Sequence, residues 1–387
     1  MKSGRGPDKI TMRICLTHMR HARSGGTEAY LNYLAAYLCE RGHDVTIVCR
    51  RHGSLPHPRA RFIVLRDFAL TKTWRMWAFA RSVEQHVRST SYDVVLGLGK
   101  TWNQDVVRLG GGSHKTFLEY MDKAGAGMGS LRFKDRVALN IERRALAADT
   151  CQRVIVNSLM VRRDIIARYN VPDERIAVIY NGVDVERFHP RHRAMGAEIR
   201  RAAGFDPEDQ VLLFLGNAYR RKGLDLLLSA FAAQAEAHPR MRLLVVGEDS
   251  DRRRYQAMAA QLGCGRRVHF MGTQGKPEHC YGVADVYVLP TRYDPFANST
   301  LEALATGLPV ITTDCNGGGE LIEEGVQGSV VQLQSGVTAL SAALSYWSDM
   351  ARVHKASGAA RQLAEQHNHL SKMQDTERLL LSVACST

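Results

Sequence analysis

Eight cysteines are scattered over 387 residues, and no two of them form a C-x-x-C pair. That spacing argues against a zinc ribbon or a disulfide framework and fits a reduced compartment. Cys15, Cys39, Cys49 and Cys315 sit instead among strand and helix residues. The first eight residues are polar and glycine-rich, so a secretory leader is not expected. No apolar run approaches the ~20 residues of a membrane span. The G-x-G-x-x-G fingerprint is missing, so a dinucleotide is not indicated. No nucleic-acid-binding motif is recognisable. The first half is also short of negative charge. Residues 1–185 hold 30 Lys/Arg against 17 Asp/Glu, while residues 186–387 hold 22 against 22. The whole formal excess of +13 therefore lies in the first half. A charge so polarised points to an anionic partner there, either nucleic acid or an acidic membrane.

The length predicts two or three domains. Arg13 to Thr17 reads as a short apolar strand, followed by Ser24-Gly25-Gly26-Thr27-Glu28 and a helix that ends at Gly42. Val45–Val48 is the next strand, which completes a β-α-β unit with a Gly-Gly turn at the phosphate-binding position. Strands are expected at 62–65, 94–98, 106–109, 154–157 and 177–179, with helices at 74–88, 132–148 and 159–169. Tyr180-Asn181-Gly182-Val183-Asp184 closes this half, and an Arg-rich lead-in follows over 186–202. A second alternation begins at Val211 and runs to about residue 348, with helical signal to 383. Two successive parallel α/β sheets imply two doubly wound domains facing a cleft.

Chemistry concentrates after predicted strands of the second domain. Tyr293-Asp294-Pro295-Phe296-Ala297-Asn298-Ser299-Thr300-Leu301-Glu302 reads as a loop that opens a helix, with Asn298, Ser299 and Thr300 all suited to capping it. A helix N-terminus at the carboxyl edge of a parallel sheet attracts anions. Asp294 and Glu302 flank it, where carboxylates can hold polyols on either side of a phosphate. Arg220-Arg221-Lys222 precedes another helix start, a conflict of charge that an anionic ligand resolves. Arg221 and Lys222 can neutralise charge growing on a leaving diphosphate. Gly317-Gly318-Gly319 lets backbone approach a ligand, and Glu320 opens a short helix. In the first domain, Lys100, Asp105 and Gly110-Gly111-Gly112-Ser113-His114 are expected at the carboxyl ends of strands.

Together these residues resemble the retaining glycosyltransferases of family 4, over nearly the whole chain from residue 12. The resemblance rests on Gly25-Gly26, Asn181-Gly182-Val183-Asp184, Arg221-Lys222-Gly223 and the acids at 294 and 302, in the family's order. Asp294 stands where the family usually has Glu. The resemblance implies the GT-B fold, two Rossmann-like domains: an acceptor domain over 10–185 and a nucleotide-sugar domain over 186–364. It also implies that a helix over 365–387 crosses back to the first. Within the family the likeness reaches the lipopolysaccharide-core glucosyltransferases, chiefly through Gly97 to Val107; the run from Gly110 to His114 departs from them. This implies a UDP-sugar donor, a lipopolysaccharide-core or lipid-linked acceptor, retention of configuration, and no cofactor or metal. By that pattern Glu302 holds the ribose, Asp294 the transferred sugar, and Phe296, Ala297, Asn298 and Ser299 complete the donor site. Gly25 and Gly26 with Arg221 and Lys222 take the diphosphate, and Asp105 or His114 lies near the acceptor hydroxyl. No metal site is obvious in the sequence, and Arg221, Lys222 and the helix start near 298 can supply the positive field instead.

Three alternatives stay open. One is a sugar-nucleotide epimerase on the same scaffold. Another is a transferase using N-acetylhexosamine or mannose. The third is a nucleic-acid-binding protein, which leaves the paired acids unexplained. Residues 114–144 interleave Lys115, Lys123, Arg132, Lys134, Arg136, Arg143 and Arg144 with Phe117, Leu118, Tyr120, Met121, Met128, Leu131 and Phe133. That pattern predicts a segment lying on an anionic membrane surface, and hence a peripheral protein on the cytoplasmic face of the inner membrane.

Overall fold

The computed structural model describes residues 11–20, 25–53, 56–66, 70–123 and 133–385. The chain divides into two compact units, Met1–Tyr180 with Lys372–Thr387, and Asn181–Ser371. The sequence put the division at 185/186 and began its crossing-back segment at 365.

In the first unit the order is β1 (Arg13–Thr17), α1 (Gly26–Arg41), β2 (Asp44–Cys49), β3 (Arg61–Val64), α2 (Lys72–Ser89), β4 (Val94–Gly97) and β5 (Val106–Leu109). Then come α3 (His114–Lys123), α4 (Phe133–Ala145), β6 (Arg153–Val156), α5 (Leu159–Tyr169) and β7 (Ile176–Val178). Among the described residues the strands pair in parallel in the order β3-β2-β1-β4-β5-β6-β7. Strands buried on both faces are runs of β-branched and aliphatic residues, as in Val45–Val48 and Val94–Leu96. Leu31, Leu34 and Leu38 of α1 pack on Ile14, Leu16 and Ile47.

In the second unit the order is α6 (Arg193–Ala202), β8 (Gln210–Leu215), α7 (Tyr219–Lys222), α8 (Leu224–Gln234), β9 (Met241–Val246), α9 (Arg252–Gln261) and β10 (Val268–Gly272). It continues with α10 (Pro277–Val283), β11 (Val286–Leu289), α11 (Asn298–Ala305), β12 (Val310–Thr313), β13 (Gly328–Val331), α12 (Gly336–Tyr346) and α13 (Met350–Gln366). Its strands, also parallel, run β10-β9-β8-β11-β12-β13. The last helix, α14 (His369–Ala384), gives Met373, Leu380 and Val383 to the core of the first unit. Its Glu377 accepts from Tyr37 Oη at 2.6 Å and Arg41 Nε at 3.2 Å, and lies 2.9 Å from His43 Nε2.

Both sheets reverse strand order beside their first strand, between β1 and β4 and between β8 and β11. Loops leaving the carboxyl ends of two neighbouring strands diverge at such a switch point and leave a crevice for a ligand. Asp105 is not there. β4 ends at Gly97, and the chain returns through Lys100 and Asn103, both at φ 61°, before β5 begins at Val106. Asp105 therefore lies at the amino edge, where its Oδ2 accepts from the backbone N–H of Val95 at 2.8 Å. The placement expected from sequence is corrected, and Asp105 is a strand-edge residue.

Candidate active site

In the second unit the switch point is formed by the segment after β8 and the segment after β11. Ala218, in the left-handed region at φ 58°, turns the chain into the one-turn helix α7. A non-glycine residue there costs about 1–2 kcal/mol, which the surroundings must offset. Gly223 at φ 80° separates α7 from α8, and a Cβ on it would meet the Pro290 carbonyl oxygen at 1.9 Å. Only glycine lets α7 sit this close to the segment after β11. The result is a tight cluster. Lys222 Nζ donates to Asp294 Oδ2 at 2.5 Å, and Arg221 Nη1 to the same oxygen at 2.9 Å and to the Tyr293 carbonyl at 3.0 Å. Lys222 and Asp294 are each 8% exposed. Burial pushes the Asp294 carboxyl up, but Lys222 and Arg221 outweigh it and hold the group below the usual carboxylate range. The three side chains keep one net positive charge.

The helix α11 starts beside this cluster. Ala297 is its N-cap and no side chain caps it, so the expectation of a cap from Asn298, Ser299 or Thr300 is corrected. Those side chains are committed elsewhere. Asn298 Oδ1 accepts from Asn181 Nδ2 at 2.6 Å, Ser299 Oγ accepts from Tyr287 Oη at 2.7 Å, and Thr300 Oγ1 accepts from Asn316 Nδ2 at 2.9 Å. Asn316 is the staple that the sequence did not single out. Its Oδ1 accepts from the N–H groups of Ala297 and Gly318, fixing the glycine loop against the start of α11. Phe296 and Ala297 are buried. One turn into α11, Glu302 accepts from Tyr281 Oη at 2.7 Å, and burial pushes its carboxyl above the usual range. A D-x-D spacing overlooked in the sequence, Asp249 and Asp251, is in use: Asp249 accepts from the N–H groups of Tyr219 and Asp251, each at 2.8 Å. Among the described residues no three His, Cys, Asp or Glu side chains form a metal-holding group.

In the first unit the switch point opens into a cavity of about 420 Å³. Its wall takes His18 and Arg20 after β1, Lys100 after β4, and Arg108, Gly110 and His114 around the end of β5. Thr27, in the first turn of α1, lines it as well. Gly25 caps α1 at φ 119°, where a Cβ would meet Glu28 Oε2 at 2.2 Å. His114 lies 3.2 Å from Asp135 through Nε2 and stacks on Phe117. Burial, helped by Lys100, lowers its pKa, which favours the neutral ring near neutral pH. The sequence did not single out Arg108 or Tyr30. Gly25 and Gly26 belong to this unit, and Arg221 and Lys222 to the other.

The family model described as Glycosyltransferase Family 4 matches residues 24–187, and that for Glycosyl transferases group 1 matches residues 196–363. Each half of the chain thus matches a glycosyltransferase family model, and its two units have the GT-B fold. The structure of WaaG, a glycosyltransferase involved in lipopolysaccharide biosynthesis, matches this GT-B chain with a TM-score of 0.79 and 21% identity. The match covers 95% of this chain and 99% of that one. Anabaena HepE in complex with UDP-glucose matches with a TM-score of 0.71 and 19% identity, over 96% and 100% of the two chains. An uncharacterized glycosyltransferase of Methanocaldococcus jannaschii is 30% identical over 52% of each chain. A D-inositol 3-phosphate glycosyltransferase of Mycobacterium sp. (strain KMS) is 32% identical over 47% of this chain and 42% of its own. The GT-B chain spans about half the length of these curated relatives.

Proposed function

We propose that this GT-B glycosyltransferase moves a hexose, glucose in the first instance, from a UDP-sugar to a sugar of a lipopolysaccharide core. Configuration is retained and no metal ion takes part. The observation that carries the donor reading is the Lys222–Arg221–Asp294 cluster beside the start of α11. A net positive charge, largely buried beside a helix start, suits a diphosphate. Glu302, set one turn further in, is placed for ribose hydroxyls. As the bond between the anomeric carbon and the diphosphate oxygen breaks, Lys222 and Arg221 take up the charge that develops. The acceptor hydroxyl oxygen forms the new bond, and its proton leaves with UDP or solvent. The likeness to WaaG supports the acceptor, and the UDP-glucose complex of HepE supports the donor.

The membrane reading keeps its chemistry and changes its residues. Of the segment 114–144, Lys123, Met128, Leu131 and Arg132 lie outside what is described in side-chain detail. Leu118 is buried and Phe117, Tyr120 and Met121 are half-buried, whereas Phe133 is exposed. Exposed apolar surface gathers instead on α2 and α4, where Trp74, Trp77, Phe133 and Val137 line a groove beside Lys72, Arg75, Lys134 and Arg136. Such a face suits peripheral docking on an anionic leaflet at the cytoplasmic side of the inner membrane. Among the described residues no helix is long and apolar enough to cross a membrane.

Calorimetric titration of UDP tests the donor half: micromolar binding, weakened in Glu302→Gln, is expected. No UDP binding would remove the reading. Incubation with UDP-sugars alone separates the epimerase, which would change the donor's sugar without any acceptor.

A further inference from the structure

The cavity of the first unit carries a charge pattern that a neutral sugar acceptor does not explain. Arg20, Lys100 and Arg108 line it together with His18 and His114, against a single carboxylate, Glu142. That carboxylate is already engaged by Ser113 Oγ at 2.9 Å, by the His114 N–H at 2.7 Å and by the Tyr169 hydroxyl. The rest of the wall is largely apolar, including Leu98, Val107, Leu109, Ala138 and Ile141.

Arg108 is the deepest of the cations. It is 4% exposed, and its guanidinium lies over the Tyr30 ring at 3.7 Å. The backbone is also shaped around it. A Cβ on Gly110 would come within 2.0 Å of Arg108 Nη1, so the glycine keeps the space in which the guanidinium lies. At the mouth, Lys100 is exposed and held in the left-handed region at φ 61°. The first turn of α1, a 16-residue helix, reaches the same wall through Thr27, its positive end shared with Glu28, whose carboxylate lies against the Gly25 cap.

We infer that this cavity takes an acceptor that bears an oxyanion, a phosphate monoester or a carboxylate. Arg108 is its deep anchor and Lys100 its second contact. The inference rests on the reading of the protein as a glycosyltransferase and narrows its acceptor class to anionic saccharides. At about 420 Å³ the cavity has room for an oxyanion and for the sugar that carries it. A planar guanidinium binds either oxyanion through two parallel hydrogen bonds.

The test uses the full chain saturated with UDP, so that the donor site is occupied. Inorganic phosphate, acetate and neutral mannose are titrated in separate arms, and the thermal midpoint and calorimetric heat are read. Phosphate or acetate should bind, mannose should bind at least ~10-fold more weakly, and salt should weaken the anion. The two oxyanion arms tell a phosphate acceptor from a carboxylate one.

Three variants locate the site. Arg108→Gln removes the anchor and should weaken the oxyanion by at least ~10-fold. Lys100→Asn removes the second charge, and Asn tolerates the left-handed backbone, so folding is spared. Gly110→Ala changes no charge but displaces the guanidinium, and it too should weaken binding. Oxyanion binding that is absent with and without UDP, equal in wild type and all folded variants, or present without UDP and abolished by it overturns the inference. The last result would hand the cavity to the donor diphosphate. UDP binding measured without phosphate reports separately on the donor reading, so the two can fail independently.

Discussion

Replacing Lys222 with Met keeps the length and the buried stem and removes the ammonium. Lys222 is 8% exposed, with Nζ 2.5 Å from Asp294 Oδ2. Removing one partner of a buried pair usually costs about 3–5 kcal/mol, because the other charge is left uncompensated. Here Arg221 remains 2.9 Å from the same oxygen, so Asp294 keeps a cation. The loss of stability should therefore fall near or below that lower bound, about 1–3 kcal/mol. At ~2–4 °C per kcal/mol for a unit of this size, the midpoint drops by a few degrees and the protein stays folded. Turnover suffers more. One preorganised contact to developing charge is worth roughly 10²–10³ in kcat. Asp294→Asn is the mirror case. It leaves two cations without their carboxylate, so it should cost about 3–5 kcal/mol in stability, while UDP binds at least as tightly as to wild type. Calorimetric UDP titration, thermal melts and single-turnover product formation separate the two variants. Wild-type turnover in folded Lys222→Met would refute the reasoning, and so would a loss of UDP binding in Asp294→Asn as severe as in Lys222→Met.

Glu302→Gln keeps the size of the side chain but weakens its charge-assisted bonds, so donor KM should rise with kcat little changed; unaltered UDP affinity would break the ribose assignment. His369 is pulled down to about 4 by burial, against Asp184. The unfolded imidazole titrates near ~6.5 and binds its proton first, so stability is complete above that pH, declines as pH falls toward about 4, and levels off below. Urea unfolding at about pH 7 and about pH 5 should reveal a loss of up to ~2 kcal/mol, and His369→Gln should flatten it; an unchanged slope in that variant would assign the effect elsewhere. Replacing Trp74, Trp77 and Phe133 with Ser should abolish pelleting with anionic vesicles while UDP still binds; undiminished pelleting moves the docking surface off α2 and α4. Activity should survive EDTA, and loss restored by Mg²⁺ or Mn²⁺ would require a metal-bound diphosphate.

The alternation of elements was legible because strands buried on both faces are written as uninterrupted apolar runs, and the glycines that end helices carry the turns. The placement of Arg221, Lys222 and Asp294 followed from that alternation, since loops after strands of a parallel sheet meet at one edge. What stayed hidden depended on a third segment. The first turn of α11 carries three good cap residues, yet each side chain is drawn to a partner elsewhere in the second unit, and Asn316 secures the loop. Asp105 was misplaced because eight residues after β4 suffice to cross the sheet's end and return, a path set by left-handed Lys100 and Asn103. The one-turn helix α7 is too short to carry a period. Trp74 and Trp77 looked like ordinary helix residues because nothing in their spacing says which face of α2 stays uncovered. Arg108 sits in an apolar strand, and its place over Tyr30 is a contact between distant segments that no local pattern announces.

Product formation tests the central claim most directly. The protein is mixed with UDP-glucose and a lipopolysaccharide core truncated at the inner heptoses, and the products are read by mass and by the anomeric coupling of the new sugar. The account predicts an acceptor heavier by one hexose, with the donor's α configuration kept, and no product when Lys222 is replaced by Met at equal time. An unchanged acceptor beside an isomerised donor, or a product of inverted configuration, would contradict it.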